Sequence, residues 1–209
     1  MKPLNIMREV SNAAVINNTI VVCGGYVSKS DEYLNSCEHY SIETNDWYFG
    51  SNLSENKTDL ALVVHNGLVL YAIGGYHPTT GAMNTVERYD LVSRQWKPMA
   101  SMHTKRYSMG CTVFMDKIYV CGGGGGGGHN TCETYDPIAN QWTPIGSMIE
   151  KRIEFRLVVH GDNQLLYALG GFPYLNSIEL YDYRSNQWHT SSQTLPYELF
   201  AFGATTLYY

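Results

Sequence analysis

The sequence predicts an all-β fold of repeated four-stranded antiparallel units, and three observations carry that prediction. First, a Gly-Gly pair closes a β-rich run at Gly24-Gly25, Gly74-Gly75, Gly122-Gly123 and Gly170-Gly171, in steps of 50, 48 and 48 residues. Second, each pair is followed by Glu-x-Tyr, at Glu38/Tyr40, Glu87/Tyr89, Glu133/Tyr135 and Glu179/Tyr181. Third, a Trp stands seven residues beyond each Tyr, at Trp47, Trp96, Trp142 and Trp188, which accounts for all 4 Trp of the chain. A fixed period of this length marks a repeat architecture. A four-stranded unit of that size cannot bury both faces alone. Stacking such units face to face around an axis buries them, and that arrangement is a β-propeller.

Each unit reads as strands a, b, c and d. In the third unit, strand a covers 108–114, b 117–121, c 131–136 and d 141–144. The a–b turns are short and polar: Asn17-Asn18, His65-Asn66-Gly67, Met115-Asp116 and His160-Gly161-Asp162-Asn163. The c–d turns are similar, as at 136–140. Such turns suit the hairpins of a meander. The complete blades are expected at 10–52, 58–102, 107–148 and 154–190, within a single partial propeller domain over 1–209. Residues 2–7 align with 97–102, which directly follow Trp96, so residues 1–9 read as the end of a preceding blade. Residues 197–209 read as the start of a fifth, with strand a and part of b over 200–209. The expectation is four complete blades plus partial strands at both ends of an incomplete ring. Open blade edges of that kind could pair with another copy.

These residues resemble kelch repeats. The third unit, from Met102 to Gly110 and on through Lys117 to Gly123, is especially similar to the propeller of the kelch-like (BTB-kelch) family. The resemblance covers nearly the whole chain. It implies a propeller that usually has six blades, so the chain is expected to be a fragment or reduced version without the BTB and BACK domains. It also implies a protein-binding role, as the substrate-recognition part of a Cullin-3 ubiquitin ligase adaptor. The alternative that the resemblance offers is an actin-binding, cytoskeletal kelch protein, and a remote one is a kelch-type metalloenzyme.

Composition narrows the classes. A net charge of -5 argues against a nucleic-acid partner, which calls for a basic excess. No apolar run reaches the roughly 18 residues of a membrane span, and residues 1–10 lack the apolar core of a secretory signal. The 5 Cys are odd in number and irregular in spacing, which reads as reduced thiols in a cytoplasmic or nuclear protein. Cys37 and Cys132 are the first candidates for redox sensing, being nearest a loop. The 7 His show no metal-ligand spacing. Neither catalysis nor a cofactor or metal is expected.

The recurring residues read as scaffold. Gly24, Gly25, Gly74, Gly75, Gly122, Gly123, Gly170 and Gly171 permit unusual backbone angles and close approach of neighbouring blades. No Gly-Lys-Ser/Thr follows them, which weakens a phosphate-loop reading. The run from Gly122 to Gly128 begins with the scaffold pair and continues as a flexible b–c loop. Tyr40, Tyr89, Tyr135 and Tyr181 recur with Trp47, Trp96, Trp142 and Trp188, whose indoles pack between blades and need an N–H partner. The repeated Glu bonds backbone or a neighbouring blade, because a catalytic acid is needed once and not in every unit.

Strand direction places the b–c and d–a loops at one end of each blade, here called the loop end, and the short a–b and c–d turns at the other, the turn end. The b–c loops vary, at 26–36, 76–85, 124–130 and 172–176. Variable loops on a rigid scaffold are where binding is expected. Two residue sets stand out there. The first is the aromatic after Gly-Gly: Tyr26, Tyr76 and Phe172, with Tyr174 nearby; the third unit has Gly124 instead. The second is the d–a loop: Arg8, Lys57, Lys105, Arg106, Tyr107, Ser108, Lys151, Arg152 and Arg156. In kelch-like proteins these positions line the substrate pocket. Free Arg and Lys would suit an acidic peptide, although some of these Arg could instead pack along blade edges or pair with Glu; Arg106 and Arg152 sit at a frequently basic place of the repeat.

Overall fold

A computed structural model of the chain describes residues 2–126, 128–160 and 165–203. Among these, every regular element is a strand. The chain forms two compact units, residues 1–107 and 108–209. Each unit contains two four-stranded antiparallel sheets.

Blade 1 consists of β1 (Asn12–Ile16), β2 (Thr19–Cys23), β5 (Cys37–Ser41) and β6 (Asp46–Phe49), with β3 (Tyr26–Val27) and β4 (Glu32–Tyr33) pairing inside its b–c loop. Blade 2 consists of β7 (Ala61–His65), β8 (Val69–Ile73), β11 (Val86–Asp90) and β12 (Gln95–Met99). Its b–c loop likewise holds the pair β9 (Tyr76–His77) and β10 (Gly81–Ala82). In the second unit, blade 3 is β13 (Gly110–Phe114), β14 (Lys117–Cys121), β15 (Cys132–Asp136) and β16 (Gln141–Ile145). Blade 4 is β17 (Arg156–His160), β18 (Leu165–Gly171), β19 (Leu175–Asp182) and β20 (Gln187–Thr194). Each blade is the expected a-b-c-d meander. The small hairpins in the first two b–c loops add structure that repeat spacing alone did not signal.

The turns explain the register. Asn17 and Asn18 have φ of 47° and 57°, and Met115 and Asp116 have 47° and 57°. Two successive positive φ values give the primed turn whose twist matches flanking antiparallel strands. At the c–d turns, Asn45, Asn140 and Asn186 are also left-handed. Their side chains accept the hydroxyls of Tyr40, Tyr135 and Tyr181 at 2.6, 2.7 and 2.8 Å. The repeated Tyr therefore has a repeated partner, an Asn two residues before the Trp, which the sequence reading passed over.

Packing follows from strand alternation. In the first unit Ile16, Val21, Leu53, Leu60, Leu62, Leu70 and Tyr89 form one buried cluster between the two blades. In the second, Phe114, Tyr119, Met148, Phe155, Leu157, Leu166 and Trp188 do the same. Full burial of each large apolar side chain contributes about 1.5–3 kcal/mol. The Trp indoles join blade to blade: Trp96 Nε1 donates to the Ser51 carbonyl at 3.1 Å and Trp188 Nε1 to the Gly146 carbonyl at 2.9 Å. Trp47 Nε1 does the same to the Lys2 carbonyl at 2.9 Å. Residues 2–8 thus stand against blade 1 as residues 51–57 stand against blade 2.

The reading of reduced thiols is corrected for four of the cysteines. Cys23 is bonded to Cys37 and Cys121 to Cys132, with Cα atoms 4.2 and 4.1 Å apart. Each pair sits directly opposite across strands b and c. That register brings the sulfurs together without any helpful sequence spacing. Cys111 is free, and burial pushes its thiol up to about 12. As for the chain ends, described residues 195–203 contain no strand. The rest of the expected fifth blade, 204–209, lies outside the described residues, as do Gly127 and residues 161–164 of the blade 4 a–b turn.

Candidate functional site

At the loop end, the d–a segment that enters a blade pairs with the residue that follows that same blade's strand b. Glu9 bridges Tyr26 and Thr58 bridges Tyr76 in the first unit, and Ile153 bridges Phe172 in the second. The d–a and b–c loops therefore share an end, as strand direction requires. The Gly-Gly pairs allow this closeness. Gly24 has φ of 68°, and a Cβ there would stand 2.4 Å from the Lys57 carbonyl oxygen. Its neighbour Gly25 donates its N–H to that same carbonyl at 2.9 Å.

The d–a cations point inward. Arg8 meets Glu38 at 2.6 Å, Lys57 meets Glu87 at 3.1 Å, and Arg152 meets Glu179 at 2.9 Å, all with side chains essentially sealed from solvent. Arg8 Nη1 also donates to the Gly24 and Ser36 carbonyls at 2.8 and 2.9 Å. Arg152 Nη1 does so to the matching Gly170 and Ser177 carbonyls at 2.6 and 3.1 Å. Each Glu has a second task, accepting backbone N–H groups of the d–a segment: Asn5 and Ile6 on Glu38, Ser54 on Glu87, Ile149 and Glu150 on Glu179. One carboxylate thus closes a loop and neutralises a cation. This is the role of the repeated Glu, and the paired reading of the basic positions is the one these contacts realise.

Arg106 and Arg152 are 0% exposed. Of the sequence-derived candidates, these two line the scaffold beneath the loops rather than their surface. Lys105 is exposed, Tyr107 and Ser108 are half-buried, and Tyr107 packs edge-on to Tyr76 at 5.5 Å. Tyr26 packs at a tilt against Tyr33 at 4.9 Å and donates its hydroxyl to Asp31 at 2.7 Å, a bond that raises its pKa. In the second unit Phe172 and Tyr174 are 42% and 60% exposed. They form a ring cluster with Phe200, at centroid distances of 5.5, 6.3 and 5.8 Å. Arg156 is half-buried, its Nη1 donating to the Phe155 carbonyl at 3.3 Å, and desolvation lowers its pKa.

The surface charge changes accordingly. On the first unit's loop end, Glu9, Asp31, Glu32 and Glu55 are exposed, against Lys29 and Lys105. A ring of free cations, on which the acidic-peptide expectation rested, is not what this end presents. Its accessible chemistry is aromatic side chains on loops. Among the described residues no group of three or more His, Cys, Asp or Glu could hold a metal ion.

Comparison with known proteins agrees with this architecture. Residues 10–203 match the family model described as the KLHDC2/KLHL20/DRC7 Kelch-repeats domain. Kelch repeat protein C2 of Vaccinia virus (strain Western Reserve) is 32% identical over 122 residues, 57% of this chain and 22% of that protein. Kelch-like protein 11 of Homo sapiens is 32% identical over 108 residues, 52% of this chain and 15% of its own length. Kelch repeat and BTB domain-containing protein 12 of Homo sapiens is 31% identical over 126 residues, 56% of this chain and 20% of that protein. The matched segments thus span about a fifth or less of these relatives' lengths.

Proposed function

Because this chain belongs to the KLHDC2/KLHL20/DRC7 Kelch-repeats domain family, we propose that it is a protein-interaction module whose partner lies on the loop ends of its blades. One observation carries this reading. Tyr26, Tyr76, Tyr107, Phe172 and Tyr174 stay partly exposed on variable loops, while the polar groups beneath them are locked in buried pairs. Aromatic side chains on a rigid base are what dominates binding hot spots. We read the whole protein as the substrate-choosing part of a Cullin-3 ubiquitin ligase. The support for that finer reading is the family resemblance and a relative whose name includes a BTB domain.

The test is an affinity capture from cell lysate with three proteins: wild type, Tyr26→Ala/Tyr76→Ala in the first unit, and Phe172→Ala/Tyr174→Ala in the second. All three must first share the same circular dichroism and Tm. Loss of a captured partner by at least one variant is expected, since truncating a hot-spot aromatic weakens binding by about 2 kcal/mol or more. An unchanged partner set for both variants overturns the assignment. Arg106 and Arg152 are unsuitable for this test, because a buried cation changed to Ala disturbs the fold itself.

A further inference from the structure

The turn end of the first unit breaks the repeat in three places that meet in space. The left-handed c–d turn position held by Asn45, Asn140 and Asn186 is Arg94 in blade 2, with φ of 54°. Asn tolerates this region, whereas a long side chain is uncommon there. Among the described residues Arg94 makes no ion pair. The strand-c position occupied by Arg88, Thr134 and Leu180 in the other blades is His39 in blade 1. Three residues after the Trp, where strand d of blades 2 and 3 ends on Met99 and Ile145, blade 1 has Gly50. A Cβ at Gly50 would stand 2.3 Å from His39 Nε2, so this glycine makes room for the imidazole.

Together these departures line a cleft of about 510 Å³, walled by His39, Tyr48, Phe49, Gly50, Tyr89 and Arg94. That size suits a ligand group rather than a packing fault. His39 is 5% exposed, and its Nε2 is buried without a hydrogen-bond partner. That nitrogen lies against Gly50, and the imidazole ring forms the floor of the cleft. The ring of His39 lies 5.4 Å from that of Tyr48 and 5.7 Å from that of Tyr89. Tyr48 and Phe49 are 49% and 57% exposed, where the other blades place Lys97-Pro98, Thr143-Pro144 and His189-Thr190. The cleft therefore offers aromatic walls, an imidazole floor and an unpaired cation at its rim.

We propose that this cleft is a second peptide-binding site, separate from the loop ends, and that it takes a segment in which an aromatic residue is followed by a glutamate. The aromatic ring packs against Tyr48, Tyr89 and the His39 imidazole, and the carboxylate pairs with Arg94. Charge complementarity selects the acid, because Arg94 is a cation with no carboxylate of its own.

The probes are an acetylated, amidated Phe-Glu dipeptide and its Phe-Gln counterpart, titrated by calorimetry and by imidazole ¹H–¹⁵N NMR. Two variants borrow residues from sibling blades and so keep the fold: Arg94→Asn and His39→Thr. Saturable binding of Phe-Glu with a shift of the His39 imidazole signals is expected. Phe-Gln, and Phe-Glu on Arg94→Asn, should bind about tenfold more weakly, the scale of a lost charge-assisted hydrogen bond, and His39→Thr should weaken Phe-Glu binding by removing the ring on which the aromatic rests. The Tyr26→Ala/Tyr76→Ala protein should bind Phe-Glu as wild type does, which separates this site from the loop ends. Absence of saturable Phe-Glu binding, or equal affinity of wild type and Arg94→Asn, overturns the proposal.

Discussion

The two ends of each blade are held by different chemistry. At the loop end the repeat places fully buried ion pairs, Arg8–Glu38, Lys57–Glu87 and Arg152–Glu179. At the turn end it places a neutral bond from Tyr to a left-handed Asn, in blades 1, 3 and 4. A sealed ion pair tolerates little change, because either partner left alone is an uncompensated buried charge. A neutral turn bond near solvent tolerates more, and blade 2 shows this by carrying Arg94 instead. The difference teaches where variation can accumulate. At the loop end, only residues above the ion pairs can vary, and those are the aromatic loops. At the turn end, even a repeated position can be turned to another use.

Arg152→Ala attacks the loop end most directly and should have the largest effect. It removes bonds to Glu179, Glu150, Ser177 and the Gly170 carbonyl and strands the Glu179 carboxylate, which is about 1% exposed. The expected loss is about 3–5 kcal/mol, or roughly 10 °C in Tm for a chain of this size. Asn140→Ala is the matched change at the turn end. It removes the hydrogen bond from Tyr135 and places Ala at a φ of 50°, so about 1–2 kcal/mol is expected. Urea denaturation of both variants checks the contrast. Equal destabilisation would mean that the two ends are not held as differently as their contacts imply.

The contrast also sets what could be read in the sequence. The blades were legible because Gly-Gly, Glu-x-Tyr and Trp recur in register, and recurrence marks scaffold. The b–c hairpins of blades 1 and 2 were not, since β3, β4, β9 and β10 are two residues each and carry no period. The candidate face was legible as a set of loops but not as a set of side chains. Arg106 and Arg152 have the composition of a binding hot spot, yet whether an Arg faces a partner or a buried Glu depends on which way the d–a loop turns. Comparing basic positions with the recurring Glu, one of each per blade, was the available signal. His39 and Arg94 were hidden for the opposite reason. They matter because they break the repeat, and a search for recurrence passes over them.

The disulfides sharpen the comparison within the loop end itself. Blades 1 and 3 join the ends of strands b and c through Cys23–Cys37 and Cys121–Cys132. At the same cross-strand places blade 2 pairs Ile73 with Val86, and blade 4 pairs Leu169 with Ile178. The sequence separations are 14 and 11 residues. Closing loops of that length stabilises by about 3 kcal/mol each on chain-entropy grounds. A reductant present throughout denaturation should therefore lower the midpoint of the wild-type protein. Cys23→Ile/Cys37→Val, which installs blade 2's pair in blade 1, should make the first unit insensitive to reductant. A reductant effect unchanged by this double substitution would place the redox dependence in blade 3.

The smallest expected effect lies at the turn end and concerns pH. Burial, and secondarily the Arg94 charge, lower the pKa of His39 below its ordinary 6.5. The unfolded chain therefore takes up a proton at this residue before the folded one does. The sign follows: the contribution of neutral His39 is fully present above about pH 6.5 and is lost as pH falls toward the lowered folded value, at no more than about 1.4 kcal/mol per pH unit. The measurement is the difference in unfolding free energy between pH 7.5 and 5.5, taken for wild type and for His39→Thr, so that the other histidines cancel. Wild type should lose more stability than the variant on acidification. Arg94→Asn, by removing the cation beside the imidazole, should fall between the two. An identical pH response in wild type and His39→Thr would show that the imidazole is not held neutral by its surroundings, and the floor of the turn-end cleft would then be a charged one.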